Sequence, residues 1–258
     1  MKINARETVT IYRLGPGIAF PDPEEAEPDG LLAVGGNLSP ERLLAAYAHG
    51  IFPWYTKPPI LWFSPNPRML LVPRDLHVPR RLERTLRQQY FEITCDVAFA
   101  DVMRACAETP RRREKGTWIS TAMIEAYCEL HRLGYAHSIE AWRGGKLAGG
   151  LYGVALGHAF FAESMFHRQR DASKVALVNL VRQLSEWEFE FFDCQIYSEH
   201  VARFGARPWP RRRFLAQLAR ALRAATRRGR WELTSIRESS DASVEERSGM
   251  VGSPRRVV

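Results

Sequence analysis

Hydrophobic and polar positions follow different patterns in two successive parts of this 258-residue chain. In the first part, proline and glycine interrupt the apolar stretches so often that a single helix is predicted. The apolar stripe of this helix includes Leu43 and Tyr47. Ser39 is suited to cap its first turn, and Gly50 is suited to follow its last turn. The pattern indicates a small N-terminal domain over residues 1–65.

The second part of the chain alternates between helical and strand-like periodicity. Helices are predicted for a stretch after Pro79 and for residues 98–107, 120–133, 172–187 and 213–228. Strands are predicted for residues 136–142, 147–154, 158–163 and 191–197, with a hairpin turn at 143–146. The order of these elements resembles the core of the acetyltransferase superfamily. The predicted fold class is therefore α+β: a small N-terminal domain, and an acetyltransferase-like (GNAT-like) domain over residues 66–234 with a central mixed sheet flanked by helices.

Composition limits the class of protein and the place where it acts. Hydrophobic residues make up 45% of the chain and charged residues 26%, which is typical of a folded globular protein. The chain contains no apolar run long enough to cross a bilayer, and its first residues lack the apolar core of a secretory signal. A cytoplasmic protein without membrane contact is therefore expected. Residues 235–258 are rich in Ser, Glu, Arg and Gly, lack aromatic side chains, and are predicted to be disordered.

An excess of positive charge indicates a polyanionic partner, since the formal net charge is +8. The arginines and lysines concentrate in three clusters: Arg80, Arg81, Arg84 and Arg87; Arg111, Arg112, Arg113 and Lys115; and Arg211, Arg212, Arg213, Arg220, Arg223, Arg227, Arg228 and Arg230. Three such clusters in one chain favour a nucleic-acid surface over merely solvated faces. The four cysteines lack zinc-site spacing, so reduced thiols and no metal site are expected.

The predicted strand 191–197 carries the first candidate chemistry. Because side chains alternate along a strand, Asp193, Gln195 and Tyr197 share one face, about 7 Å apart in succession, and Phe192, Cys194 and Ile196 share the other. The second face suits packing under a helix. Burial of the polar face inside a sheet costs free energy unless each polar group has a hydrogen-bond partner. It is therefore either a buried hydrogen-bond ladder or a catalytic row, and the residues alone do not decide between them.

A carboxylate that interrupts an aromatic run is the second candidate. Glu163 follows the apolar stretch 160–162 at the end of a predicted strand. It either pairs with one of the many arginines or lies at the mouth of an apolar pocket, where it can hold a cation. The candidate walls of such a pocket are Leu151, Phe160, Met165 and Leu177, although each of them taken singly fits plain core better.

Tryptophans form the third candidate. The chain has seven, and Trp54, Trp62 and Trp118 lie in stretches rich in turns or basic residues. Exposed aromatic rings beside basic side chains suit stacking on nucleobases, whereas the default for each tryptophan taken singly is a place in the core.

Eight short motifs occur in collinear order between residues 10 and 230. They are PDGLLAVGGNLS at 28–39, GIFPW at 50–54, WFSPNPR at 62–68, GTWI at 116–119, AHSIE at 136–140, ESMF at 163–166, ASK at 172–174 and DCQ at 193–195. In combination they resemble the leucyl/phenylalanyl-tRNA–protein transferase family. The resemblance implies a transferase that takes leucyl- or phenylalanyl-tRNA as donor and needs no metal or organic cofactor.

The resemblance also implies the acceptor and the fate of the product. Leu or Phe, with Met as a further candidate, would be transferred to the α-amino group of a protein that begins with Arg or Lys. The new N-terminal residue would act as a degradation signal. A monomer is expected, because the sequence has no heptad pattern.

Individual residues fall on functional positions of the family. Asp193 and Gln195 match its catalytic pair, and Asp193 would orient and polarise Gln195, which would hydrogen-bond the attacking amine or the terminal ribose. Glu163 matches the acidic residue near the acceptor. Trp54 and Trp118 match positions that line the site for the charged tRNA end, and Leu151 and Leu180 match positions of the apolar pocket.

Two other functions remain open on the residues alone. An N-acetyltransferase would cradle a cofactor pyrophosphate on a glycine-containing turn before a helix. The matching stretch here, residues 168–173, contains no glycine. A non-catalytic RNA-binding module would explain the basic clusters and the tryptophans, but not the polar row of strand 191–197.

Overall fold

Two β-sheets organise the residues that the computed structural model describes, which are 11–109 and 117–234. The first sheet has the strand order β1-β2-β4-β3, formed by β1 (Tyr12–Leu14), β2 (Leu31–Gly35), β3 (Phe52–Pro53) and β4 (Leu61–Phe63). The second sheet has the order β11-β5-β10-β9-β8-β7-β6, formed by β5 (Arg68–Leu71), β6 (Glu92–Cys95), β7 (Ala136–Arg143), β8 (Lys146–Leu156), β9 (Ala159–His167), β10 (Phe191–Gln195) and β11 (Arg207–Trp209).

Seven α-helices connect the strands in the described ranges. They are α1 (Pro40–Ala48), α2 (Arg80–Arg87), α3 (Phe99–Glu108), α4 (Thr121–Arg132), α5 (Ala172–Glu186), α6 (Glu199–Ala202) and α7 (Arg211–Ala221). None of the helices in this part of the chain combines the length and apolarity that crossing a membrane requires. The predicted class of mixed helices and strands is confirmed.

The single predicted helix of the first part begins and ends as its sequence indicates. The Ser39 side chain accepts the N–H of Arg42, Pro40 occupies the first turn, and the helix stops at Ala48. Gly50 then adopts φ +71°, a conformation that L-residues with a side chain rarely adopt.

The second sheet is mixed, which also agrees with the prediction. Strands β7, β8 and β9 pair antiparallel, whereas β9 and β10 pair parallel and are connected through α5. The hairpin turn between β7 and β8 lies at Gly144 and Gly145, as predicted. Strands β5, β6 and β11 were not predicted from the sequence. They are short, and their apolar pattern is too brief to read as a strand.

Two hydrophobic clusters lie on opposite faces of the second sheet. Phe161 and Phe191 belong to one cluster, which also contains Leu32 of the first sheet, while Phe160 and Phe192 belong to the cluster under α5. Neighbouring residues of β9 and β10 thus point to opposite faces, as strand geometry requires. The first cluster joins the two sheets in a common core.

The last predicted helix, 213–228, is wrong at both ends. Helix α7 spans Arg211–Ala221, after which the chain turns back. Arg228 donates to the carbonyl of Leu133, and Trp231 stacks on His137 with ring centroids 3.6 Å apart. Because Trp231 is buried against His137, the chain leaves helix α7 after Ala221 instead of continuing it to residue 228. The expected disorder of residues 235–258 and the basic cluster at 111–115 lie outside the described residues.

Candidate active site

An ion pair without solvent exposure forms the base of the candidate site. Arg68 of β5 lies beside Asp193 of β10 because these strands pair antiparallel. Its Nε donates to Oδ1 at 2.9 Å and its Nη2 donates to Oδ2 at 2.7 Å, and neither side chain is exposed to solvent. The guanidinium also donates to the carbonyl of Gly50 at 3.1 Å and lies over the rings of Phe52 and Phe214. The charge of Asp193 is therefore fully balanced.

The backbone leaves regular strand geometry directly after Asp193. The pairing register between β10 and β5 shifts between Asp193 and Gln195, and Gln195 adopts φ +62°. Asp193 Oδ1 accepts the backbone N–H of Gln195 at 2.7 Å, which holds this conformation. The prediction that Asp193, Gln195 and Tyr197 form one polar row is therefore wrong for Tyr197, because the strand ends at Gln195. Tyr197 is 64% exposed, and Ile196 is 44% exposed instead of packing under a helix.

A second carboxylate receives the Gln195 side chain. The Nε2 of Gln195 donates to Oε1 of Glu163 at 2.7 Å, and the hydroxyl of Tyr127 donates to Oε2 at 3.2 Å. The hydroxyls of Tyr47 and Tyr127 are hydrogen-bonded to each other. Within residues 11–109 and 117–234, the hydrogen-bond partners of Glu163 are thus uncharged donors.

Burial governs the protonation of Glu163. It raises the pKa of this carboxyl group to about 7, even though hydrogen bonds from Tyr47, Tyr127 and Gln195 act to lower it. The nearby charge of Asp193 adds to the increase. Burial also raises the pKa of both tyrosines well above the usual value, so they remain neutral donors near neutral pH.

Two adjoining cavities open on this group of side chains. The tryptophan cavity, of about 270 Å³, is lined by Phe52, Pro53, Trp54, Trp118, Ala162, Glu163, Cys194, Gln195 and Ile196. The inner cavity, of about 180 Å³, is lined by Leu151, Ala162, Glu163, Ser164, Met165, Phe192, Cys194, Ser198, His200 and Val201. Ala162, Glu163 and Cys194 line both. A ligand with an aromatic ring and an apolar side chain can therefore occupy both cavities, with Glu163 and Gln195 at their junction.

The structure brings together six of the ten residues that the sequence singles out around this junction. Gln195, Glu163, Trp54 and Trp118 line the tryptophan cavity, while Leu151 and Met165 line the inner cavity together with Glu163. Asp193 lies behind Gln195. The other three, Phe160, Leu177 and Leu180, are buried in the hydrophobic cluster that contains Phe192 and line neither cavity.

Three residues of the site were missed by the sequence analysis. Arg68 occurs only as the end of a motif, and Tyr47 and Tyr127 were read as apolar positions of helices α1 and α4. A tyrosine on an apolar helix stripe carries a hydroxyl group that needs a partner once it is buried. A tyrosine at such a position therefore predicts a hydrogen-bond partner for its hydroxyl group, but it does not identify the partner residue. Trp62, a candidate for base stacking, is fully buried and donates to the carbonyl of Gly35.

Comparison with known proteins connects this site to a family. The family profile described as leucyl/phenylalanyl-tRNA protein transferase matches residues 70–219, more than half of the chain. The profile of the N-terminal domain of the same family matches residues 36–66. A solved structure of L-PGS from Bacillus licheniformis covers 85% of this chain and 74% of its own length, at 11% identity and a TM-score of 0.34. That similarity is too low to establish a fold.

Curated relatives are similar over nearly their whole length. The leucyl/phenylalanyl-tRNA–protein transferase of Anaeromyxobacter sp. (strain Fw109-5) is 60% identical over 87% of this chain and 96% of its own. The proteins of the same name from Myxococcus xanthus and Nitratidesulfovibrio vulgaris are 56% and 60% identical, over 82% and 83% of this chain and 91% and 92% of their own. The site described above thus belongs to an aminoacyl-tRNA–protein transferase, and the chain is a member of the leucyl/phenylalanyl-tRNA–protein transferase family.

Proposed function

We propose that the enzyme transfers Leu or Phe from its charged tRNA to proteins that begin with Arg or Lys, and that the product carries an N-terminal degradation signal. The observation that carries the proposal is the environment of Glu163. This carboxyl group is buried at the junction of two cavities, and all its described partners are neutral. A buried carboxylate without a cation is unfavourable, so a cationic acceptor residue supplies the partner that is missing.

The donor uses both cavities in this proposal. The terminal adenine stacks on Trp54 and Trp118, and the amino-acid side chain enters the inner cavity against Leu151 and Met165. Leu, Phe and Met side chains all suit these apolar walls. Phe160 stacks on Phe192 at a centroid distance of 5.4 Å, so it supports the wall from behind.

Leu177 and Leu180 have the same supporting role in the proposal. Both belong to α5 and to the hydrophobic cluster of Phe192, and neither contacts the cavity itself. Their substitution would change the amino-acid preference through the position of Phe192. It would not remove a direct contact with the substrate.

The reaction is aminolysis of the ester that links the amino acid to the terminal ribose. The acceptor's α-amino nitrogen forms a bond with the ester carbonyl carbon, the carbon–oxygen bond to the ribose breaks, and the proton passes to that oxygen. Because Nε2 of Gln195 is held by Glu163, its side-chain oxygen is left to accept a hydrogen bond from the attacking amine. An amide is too weak a base to remove the proton, so Gln195 orients the amine.

Asp193 acts on the backbone of the site. Its described contacts are the guanidinium of Arg68 and the N–H of Gln195, not the side-chain amide of Gln195. It therefore orients Gln195 by fixing the left-handed conformation from which that side chain reaches Glu163. A monomer that acts in the cytoplasm, with an acetyltransferase-like fold over residues 66–234, completes the proposal. The parallel β9–α5–β10 unit supports that fold.

Transfer of labelled Phe or Leu from charged tRNA to short peptides tests the proposal. A peptide that begins with Arg is the acceptor, the same peptide beginning with Ala is the control, and acetyl-coenzyme A replaces charged tRNA as a control donor. Asp193→Asn keeps an oxygen for the N–H of Gln195, so it should retain more activity than Asp193→Ala. The proposal fails if folded wild-type protein and intact charged tRNA give no transfer to the Arg peptide, or equal transfer to both peptides.

A further inference from the structure

Helix α7 is followed by an irregular segment, residues 222–234, which we call the C-terminal strap. Its side chains are exposed or half-buried except those of Trp231 and Leu233, which are buried. Both belong to the hydrophobic cluster under α5 that also contains Phe160 and Phe192. The strap therefore inserts an aromatic ring into the core that lies behind the inner cavity.

Trp231 is held in place by hydrogen bonds as well as by packing. Its backbone N–H donates to Oδ2 of Asp96 at 2.8 Å, and its Nε1 donates to the carbonyl of Arg227 at 2.9 Å. The same Asp96 side chain accepts the backbone N–H of Ser138 at 2.9 Å and is hydrogen-bonded to His137, on whose ring Trp231 stacks. Asp96 thus ties the strap to strand β7, so the indole ring has a defined position.

A chain of aromatic rings leads from the strap to the inner cavity. The ring centroids of Trp231 and Phe160 lie 6.0 Å apart, and those of Phe160 and Phe192 lie 5.4 Å apart with their planes inclined by 17°. Phe192 lines the inner cavity directly, and the other two rings lie behind it. The interior of a folded protein is close-packed, so a displaced ring displaces its neighbours. The position of Phe192 therefore depends on Trp231.

We propose that Trp231 is a positioning residue for the amino acid of the donor. By supporting Phe160 from behind, it sets the position of the Phe192 wall and thereby the relative use of leucyl- and phenylalanyl-tRNA. This inference rests on the proposed function, in which the amino-acid side chain enters the inner cavity of about 180 Å³. The shorter Leu side chain keeps its contacts only while the wall stays close, whereas the longer Phe ring can follow a wall that retreats.

Two substitutions of the indole and one matched control test the assignment. Trp231→Leu removes the ring from behind Phe160, and Trp231→Phe keeps an aromatic ring there. Met103→Ala is the control, because Met103 is also fully buried but belongs to the hydrophobic cluster on the opposite face of the sheet. The value of kcat/KM is measured for leucyl-tRNA and for phenylalanyl-tRNA with a saturating Arg peptide, at a temperature at which circular dichroism shows every variant to be folded.

We expect Trp231→Leu to lower kcat/KM for leucyl-tRNA about 5- to 10-fold more than kcat/KM for phenylalanyl-tRNA. One methylene in direct contact with an apolar pocket changes this quantity roughly 10-fold or more, and the contact here is indirect. Trp231→Phe should keep the wild-type ratio of the two donors. Met103→Ala should lower the Tm without changing that ratio. A merely structural role of Trp231 would affect both donors equally, so an unchanged ratio in Trp231→Leu would overturn the proposal.

Coupling between Trp231 and Phe160 gives a second test. If Trp231 acts through Phe160, then Trp231→Leu should change the ratio of the two donors little when Phe160→Leu is already present. A further change of the same size in the Phe160→Leu background would show that the effect does not pass through this ring, and the proposed route would be wrong.

Failure of this inference is distinguishable from failure of the proposed function. If the proposed function fails, folded wild-type protein transfers neither Leu nor Phe from charged tRNA to the Arg peptide. If only this inference fails, wild-type protein transfers both amino acids and Trp231→Leu does so with the same ratio.

Discussion

Arg68→Met removes the guanidinium that balances Asp193 while keeping most of the side-chain length. In the native protein that group donates to both carboxylate oxygens and to the carbonyl of Gly50, and the pair has no solvent exposure. Loss of one partner leaves a buried charge without compensation, which costs about 3–5 kcal/mol. Contacts of the cation with the rings of Phe52 and Phe214 are lost as well. We therefore expect the free energy of unfolding to fall by about 4 kcal/mol.

Urea denaturation followed by circular dichroism measures this loss, and a double-mutant cycle isolates its cause. Asp193→Leu removes the other partner with a side chain of similar shape, and the double variant carries no buried charge at either position. The double variant should therefore lose clearly less stability than the sum of the two single losses. A loss below about 1 kcal/mol in Arg68→Met, or strictly additive losses, would refute the argument from charge burial.

Four further predictions concern Glu163, Trp54 and the helix cap at Ser39. Because the pKa of Glu163 is raised to about 7, the KM for an Arg peptide should fall as pH rises through about 7, and Glu163→Gln should give a flat profile. Glu163 also holds its proton more tightly in the folded than in the unfolded state. Its contribution to the free energy of unfolding is therefore present below its ordinary pKa of about 4.5 and is lost as pH rises through about 7. The urea midpoint of wild type should decline over this pH range, and that of Glu163→Gln should not. Trp54→Ala should raise the KM for charged tRNA by roughly 5- to 100-fold, as loss of one stacked base predicts, whereas Trp54→Phe should keep most of the affinity. Ser39→Ala removes the acceptor for the Arg42 N–H and should lower the free energy of unfolding by about 1 kcal/mol without changing that KM.

Local patterns in the sequence predict most of the second sheet and its helices, because their causes are local. The cap at Ser39 and the turn at Gly144 depend on a few neighbouring residues, and both are as predicted. Strand alternation also predicts that Phe192 packs under helix α5, which is confirmed. Where tertiary contacts compete with local preference, as at the end of α7, the prediction is wrong.

The geometry at Gln195 could not be predicted from strand alternation. A period of two assumes an unbroken strand, whereas Gln195 adopts φ +62° and the pairing register shifts beside it. Glutamine has no special preference for this conformation. The cause is the hydrogen bond from its N–H to Asp193, and that carboxylate is fixed by an arginine 125 residues away.

Long-range pairing limits sequence analysis in the same way at Tyr47 and Tyr127. These side chains are 80 residues apart, and each fits the apolar stripe of its own helix. Only the packing of α1 and α4 against the second sheet brings their hydroxyls to one another and to Glu163. The motif ESMF marks Glu163 as a candidate, but not the neutral environment that defines its chemistry.

The two carboxylates of the site serve different purposes, and their partners explain why. Asp193 is paired with the cation of Arg68, and it also accepts the backbone N–H of Gln195, which holds that residue in place. Glu163 has only the amide of Gln195 and the hydroxyl of Tyr127, which support a carboxylate without neutralising it. In the proposed function, an acceptor that brings its own positive charge gains from pairing with Glu163, while a neutral N-terminal residue leaves this carboxyl group with its raised pKa and without a cation. In the proposed function, selection of a cationic acceptor would therefore follow from leaving one of the two buried carboxylates of this site without a cation.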